Sequence, residues 1–314
     1  MEYAIQTKKL VKRYGKGFTA LDGVSLNIKK GDVVGYLGPN GAGKTTTIKI
    51  LTKLIKPTAG RAYINGVDVT RPSMEVLSKV GSLIEVPGVY EYLTPVEMLT
   101  YFGRVYRIDK KVLDQRIKKT LRLVKLSDWE HKKIGSFSTG MQRRLAIAKA
   151  ILHKPEVLLL DEPVLGLDPA GIRDVRELIQ HFQSEGMTVF LSSHLLGEVA
   201  EVCNSVIFID KGKVVESDDM KDIAGRLASK AVRVEFPRPL SNEEIAMIQA
   251  VKSVSKVEAV DNAVLISFEG GSHTSYQILR DLAGMNLEIV SYNPERMGFE
   301  DYYLSLVGNE RGIK

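Results

Sequence analysis

The chain has 314 residues, enough for about two domains and a sizeable hydrophobic core. Its composition, 44% hydrophobic and 26% charged, excludes intrinsic disorder, a collagen-like fibre and a long coiled coil. The net charge of +6 is uneven: from Ala231 onward eight Lys/Arg face twelve Asp/Glu, a tail of −4, while the preceding body has 36 against 26 and carries +10. A basic body with an acidic tail points to two units, and the basic charge alone admits nucleic acid, anionic lipid or simply solvated helix faces. Cys203 is the sole cysteine, so no disulfide can form within the chain. No uncharged stretch approaches the roughly 18 residues of a spanning helix. No apolar segment follows Lys8 and Lys9, so we expect neither a signal peptide nor a membrane crossing.

In chain order, Tyr3–Val11 and Leu21–Ile28 read as strands, the second with alternating Val24, Leu26 and Ile28. Val33–Leu37 is a short apolar run of the buried-strand kind. A glycine-rich loop follows, then a helical pattern over Thr45–Ile55, and Asn65-Gly66 signals a hairpin behind the strand Arg61–Ile64. From Pro95 to Leu126 the pattern is helical, with Pro95 suited to a first helical position and Glu97 to the first turn. Within it, Val112–Val124 sets apolar residues at 113, 117, 121 and 124 among lysines and arginines. Alternation then resumes: strand Val157–Leu160, helix Gly171–Ser184, strand Thr188–Leu191, helix Leu195–Val202, strand Ser205–Asp210, a turn at Lys211-Gly212, and strand Val214–Glu216. This implies a mostly parallel sheet covered by helices on both faces.

The tail reads as strand Val232–Phe236, helix Asn242–Ala250, strands Val254–Val260 and Val264–Phe268, helix Tyr276–Ala283 and strand Leu287–Tyr292. That β-α-β-β-α-β order is the ferredoxin-like pattern, and the boundary falls near 220–230.

Three runs carry chemistry. Gly38-Pro39-Asn40-Gly41-Ala42-Gly43-Lys44-Thr45 matches G-x-x-x-x-G-K-[ST], the P-loop, with Thr46 next to it. Glycines let successive backbone N–H groups curl around phosphate oxygens, Lys44 reaches the β/γ-phosphates, and Thr45 offers its hydroxyl to Mg²⁺. Val157–Leu160 followed by Asp161-Glu162-Pro163 ends a buried strand in two acids at the sheet edge where the P-loop also lies. There Asp161 suits Mg²⁺ and Glu162 suits polarising an attacking water. Ser138-Thr139-Gly140-Met141, between them, opens a helix whose N-terminus favours phosphate.

Together these runs resemble the ATP-binding-cassette (ABC) ATPases over about residues 1–220. Ser138-Thr139-Gly140-Met141 stands where that family has Ser-Gly-Gly-Gln, and the departures at Thr139 and Met141 resemble bacterial and archaeal drug- and antibiotic-export cassettes. Gly166-Leu167-Asp168 resembles the loop that touches the opposing subunit, Ser192-Ser193-His194 the switch histidine facing the γ-phosphate, and Tyr14 the aromatic that stacks on adenine. The family's glutamine after the strand Val80–Ile84 is replaced by Glu85, which can still ligate Mg²⁺. Cys203 and Trp129 are expected to be packing residues.

The resemblance implies a P-loop NTPase cassette at 1–225: a mostly parallel sheet core, an antiparallel β subdomain and a helical subdomain at about 90–155. A small ferredoxin-like α+β domain follows at 226–314. It implies ATP and Mg²⁺ as ligands. Lys44, Glu162 and His194 are catalytic. Tyr14, Gly38–Thr46, Ser138, Gly140 and Asp168 bind nucleotide, and Thr45, Glu85 and Asp161 bind metal. It implies a homodimer in which ATP lies between two such chains, and a separate transmembrane permease docking near Glu85–Thr94 on the cytoplasmic face of the membrane. No nucleic-acid partner is expected. The alternatives are a soluble ABC-type ATPase acting on nucleic acid or the ribosome, and a nucleotide-gated regulatory module.

Overall fold

The computed structural model describes the chain except residues 1, 16, 72–74, 85–87, 196, 198–200, 228–230, 269–271, 286, 296–301, 304–305 and 308–314. It divides into two compact units, Met1–Met220 and Lys221–Lys314.

The first unit opens with two twelve-residue strands, β1 (Tyr3–Tyr14) and β2 (Phe18–Lys29). Both outrun their apolar alternation, because antiparallel pairing continues to Tyr14 opposite Phe18. With β4 (Ala59–Ile64) and β5 (Val67–Asp68) they form a sheet of order β2-β1-β4-β5. Asn65 and Gly66, at φ 47° and 78°, make the tight turn their dipeptide predicts.

A six-stranded sheet forms from β3 (Val33–Leu37), β6 (Val80–Leu83), β7 (Val157–Asp161), β8 (Thr188–Ser193), β9 (Ser205–Asp210) and β10 (Lys213–Asp219). Its order is β10-β9-β3-β8-β7-β6, parallel except for β10. Every residue of β3, β7 and β8 is buried, as strands covered on both faces must be.

Helix α1 (Lys44–Leu51) joins both sheets in one core. Its Ile48, Ile50 and Leu51 pack with Ile5 and Ile64 of the antiparallel sheet and with Tyr36 and Phe190 of the parallel one. It stops four residues short of the expected Ile55, because Lys53 adopts the left-handed φ of 61° that ends helices.

Helix α2 (Pro95–Val105) begins with Thr94 and Glu97 capping each other's backbone N–H, at 3.2 and 2.7 Å, and with Pro95 at the first position. Helix α3 (Lys110–Leu123) buries Leu113, Ile117 and Leu121, with Val124 just beyond its end, and leaves the basic face outward. Helix α4 (Thr139–Ile151) follows, and α5 (Pro169–Ser184) begins two residues before the expected Gly171 because Asp168 caps it and Pro169 takes the first position. The expected helix at Leu195–Val202 falls largely outside the described residues. Trp129 packs edge-on against Phe137, ring centroids 5.7 Å apart, and burial pushes the Cys203 thiol well above its usual range.

Helix α6 (Met220–Leu227) lies at the division. The second unit runs β11 (Ala231–Glu235), α7 (Asn242–Gln249), β12 (Val254–Val260), β13 (Ala263–Phe268), α8 (Ser272–Ala283) and β14 (Ser291–Glu295). Its antiparallel sheet has order β12-β13-β11-β14. Val232, Val234, Val264 and Ile266 of the sheet pack on Ile248 of α7 and on Ile278 and Leu282 of α8. The last strand lies later than the expected Leu287–Tyr292. Leu287 and Ile289 fill the core from an irregular segment, and pairing with β11 starts only at Ser291. Pro294 is tolerated there because β14 is an edge strand.

One close approach ties α4 to the sheet. A Cβ on Gly81 of β6 would stand 2.2 Å from the backbone oxygen of Ala150. Gly81→Ala is therefore expected to destabilise the first unit by about 2 kcal/mol through overpacking, lowering its thermal midpoint by several degrees. An unchanged midpoint would contradict this packing.

Candidate active site

The parallel strands deliver the motif residues to one edge. Leu37 pairs with Ser193 and Ser192 with Asp161, so β3, β8 and β7 end side by side. The Gly38 N–H donates to the Ser193 carbonyl at 3.3 Å and the Glu162 N–H to the Ser192 carbonyl at 3.2 Å, locking the three exits together.

The P-loop turns between β3 and α1. Gly43 caps α1 at φ 110°, and a Cβ there would lie 2.5 Å from the Ala20 carbonyl oxygen, so only glycine fits. Lys44 is buried, and its Nζ donates to the Gly38 and Pro39 carbonyls at 2.6 and 3.1 Å. The same ammonium stands 3.4 Å from Glu162 Oε1, which compensates its charge where water is scarce.

Asp161 is buried and its Oδ1 accepts two hydroxyls, from Thr45 at 3.1 Å and from Ser192 at 2.5 Å. Glu162 sits in the left-handed region at φ 48°, a conformation that costs a non-glycine residue roughly 1 kcal/mol or more and recurs at functional sites. Its Oε2 lies 2.9 Å from His194 Nδ1. An ionised carboxylate only accepts, so Nδ1 carries the proton and the ring is fixed against Glu162.

A cavity of about 200 Å³ is lined by Pro39, Asn40, Lys44, Thr45, Thr46 and Glu162, with Phe18 and Ala20 on the side of the β1–β2 hairpin. Tyr14 is not part of this lining. It stacks beside Phe18, centroids 6.4 Å apart, with Lys12 Nζ 5.0 Å from its ring centre. Ser138 and Gly140 do not line it either. Ser138 caps α4 by accepting the Met141 N–H at 3.3 Å. A Cβ on Gly140 would meet nothing closer than Leu167 Cδ2 at 3.9 Å, so packing within this chain does not require glycine there. Asp168 spends its carboxylate on the α5 cap, accepting the Gly171 N–H at 2.8 Å. Glu85 lies outside the described residues.

Three neighbours escape a motif-based reading. Ser192 bonds Asp161 and also accepts the Glu162 N–H at 3.1 Å. Phe18 faces the cavity. Arg143 is buried and donates to the Leu165 carbonyl at 3.2 Å; burial lowers its pKa, an effect that the nearby Asp161 and Glu162 offset only in part. The position of Ser192 directly before the Ser193-His194 pair was the available signal. Ser192→Ala removes a donor from a buried carboxylate and should destabilise the fold by about 2 kcal/mol. Urea denaturation reads this, and an unchanged midpoint would deny the Ser192–Asp161 bond any weight.

Comparisons with known proteins show the family. The ABC transporter family model matches residues 21–165. The chain is 37% identical over 308 residues to YcbN, an ABC transporter ATP-binding protein of Bacillus subtilis, covering 98% of each chain. It is 35% identical over 311 residues to the bacitracin transport ATP-binding protein BcrA of Bacillus licheniformis, again covering 98% of each. Among solved structures, the ATP-binding cassette MJ0796, captured as a dimer in a post-hydrolysis state with ADP and Pi, matches with a TM-score of 0.63. It is 27% identical, covering 69% of this chain and 98% of that one. The chain belongs to the ABC transporter family, as one of its ATP-binding, ATP-hydrolysing subunits.

Proposed function

We propose that the chain is the ATPase subunit of an ABC exporter, working as a pair of copies on a separate permease. Its relation to bacitracin transport proteins supports export. The observation that carries the rest is the meeting of Lys44, Asp161, Glu162 and His194 at one sheet edge.

The P-loop from Gly38 to Thr46 cradles the phosphates with backbone N–H groups, and Lys44 meets the β- and γ-phosphates. Incoming phosphates compete with Glu162 for the Lys44 ammonium, 3.4 Å away, and so free Glu162 to orient the attacking water and take its proton. His194, held through Nδ1, presents Nε2 as a further donor once the ring is doubly protonated. The donor set suits Mg²⁺: a hydroxyl on Thr45 and a carboxylate on Asp161 already 3.1 Å apart, with phosphates as the remaining ligands and Glu85 as a third candidate. Thr45 and Asp161 would hold such an ion, which would supply positive charge against the transferred phosphoryl group. Among the described residues no cluster of three His, Cys, Asp or Glu side chains forms a self-sufficient cage, which fits an ion shared with substrate.

The lack of any packing demand for glycine at 140 supports a second chain as the source of that demand. Ser138 and Gly140 of one copy then complete the P-loop site of the other, with Asp168 near the junction. Tyr14 and Phe18 supply the base platform. The permease docks near Glu85–Thr94, where exposed Tyr92 and Tyr101, together with Phe102, gather around exposed Tyr90 as an aromatic patch of the kind enriched at interfaces. No helix among the described residues is long and apolar enough to cross a membrane, which fits a peripheral position on the cytoplasmic face. The chain pairs with protein rather than nucleic acid in this reading. The cassette spans 1–225, with the helical subdomain at about 90–155. The unit at 226–314 is a ferredoxin-like accessory domain, supported by its strand order.

Glu162→Gln is expected to keep ATP affinity while hydrolysis falls by about 10²-fold or more, and Lys44→Ala to lose ATP binding. Wild-type hydrolysis in the first or wild-type affinity in the second would overturn the assignments. Tyr92→Ala with Tyr101→Ala should abolish co-purification with the permease and leave ATP binding intact; unchanged co-purification rejects the docking surface.

A further inference from the structure

We infer that the first unit holds a second ligand site, for an amphiphilic anion, at the opposite edge of the parallel sheet from the P-loop. A cleft of about 510 Å³ opens there, within the size range of small-molecule sites. It lies where the strands begin: Glu156 leads into β7, Thr188 opens β8, and Lys30 precedes β3. The five residues of β7 put it roughly 15 Å from Asp161. Its side walls are α3 and the C-terminal end of α5.

The lining has two chemistries. Half-buried Leu123 and Met187, backed by buried Ile151 and Phe182, supply an apolar floor, and Lys30, Arg116, Lys119 and Lys154 bring four positive charges around it. The two acids there are already engaged. Glu156 accepts from Asn65 at 2.7 Å and pairs with Lys79 at 3.1 Å, and Glu185 stands 3.6 Å from His181. Arg116 is steadied by donating to the Leu152 carbonyl at 3.3 Å. The side chains of Lys30, Lys119 and Lys154 make no hydrogen bond or ion pair among the described residues.

Some cations of this unit are held by carboxylates, as Lys125 is by Asp174 and Glu177 and Arg176 by Glu201, whereas the four at the cleft border one concave surface. Four cations around one concave surface give it a positive potential that an anion complements. An apolar surface beside that charge selects a molecule with a hydrocarbon or aryl body and one phosphate or carboxylate head. Inorganic anions lack the body, and neutral hydrocarbons lack the head.

The test is calorimetric titration of the full chain with dodecyl phosphate below its micelle concentration, alongside inorganic phosphate and dodecyltrimethylammonium. We expect saturable one-to-one binding of dodecyl phosphate only, unchanged by saturating ATP and by Lys44→Ala. Lys119→Glu with Lys154→Glu should weaken it by about tenfold while ATP binding persists, and Leu123→Asp should weaken it through the apolar surface. Equal binding by the charge-reversed chain, equal binding of the cationic detergent, or displacement by ATP would overturn the site. None of these outcomes bears on the nucleotide site, whose own variants test it separately.

Discussion

The parallel register of β3, β8 and β7 is the constraint on which the site rests. Because Leu37 stands beside Ser193 and Ser192 beside Asp161, three separate stretches of sequence leave the sheet at one edge. A one-residue slip of β7 would turn Asp161 to the other face and lose both hydroxyl bonds to it. Because both faces of these strands are buried, the polar contacts at their ends distinguish this register: Asp161 accepts from Thr45 and Ser192, and the Gly38 and Glu162 N–H groups reach β8 carbonyls. What converges is one ammonium, two carboxylates and an imidazole: Lys44 pairs with Glu162, Glu162 holds His194, and Asp161 accepts two hydroxyls.

Much of this was legible in the residues. The P-loop spacing, the apolar strand ending in Asp161-Glu162, and the His194 run each predict chemistry from local pattern, and the sheet order brings them together. The Asn65-Gly66 turn and the basic amphipathic helix α3 were equally plain, because each depends on neighbours three or four positions away. What escaped depends on distant partners. Ser192 matters through Asp161, 31 residues away, and Arg143 through the Leu165 carbonyl. Phe18 faces the cavity because its strand pairs with β1 beyond the last apolar alternation. Helix α1 ended early on a left-handed Lys53 that its periodicity conceals, and Leu287 and Ile289 look like strand because core filling and strand pairing use the same residues.

Position 140 links the single chain to its proposed assembly. Glycine at 43 is demanded by the chain's own Ala20 carbonyl, whereas a Cβ at 140 would make only ordinary contacts, with Leu167 and Ser138 at 3.9 and 4.0 Å. In the proposed assembly, another molecule's backbone or phosphates come close at this glycine. The N-terminus of α4, capped by Ser138, offers such a group its unpaired N–H donors.

The composite site is tested most directly by mixing two inactive variants, Lys44→Ala and Gly140→Asp, and measuring ATP hydrolysis. In a mixed pair the Gly140→Asp chain contributes an intact P-loop and the Lys44→Ala chain an intact Ser138–Gly140 segment, so one complete site is rebuilt. The account predicts negligible hydrolysis from either variant alone and its return on mixing. A mixture as inactive as its components, or full hydrolysis by Gly140→Asp alone, would contradict it.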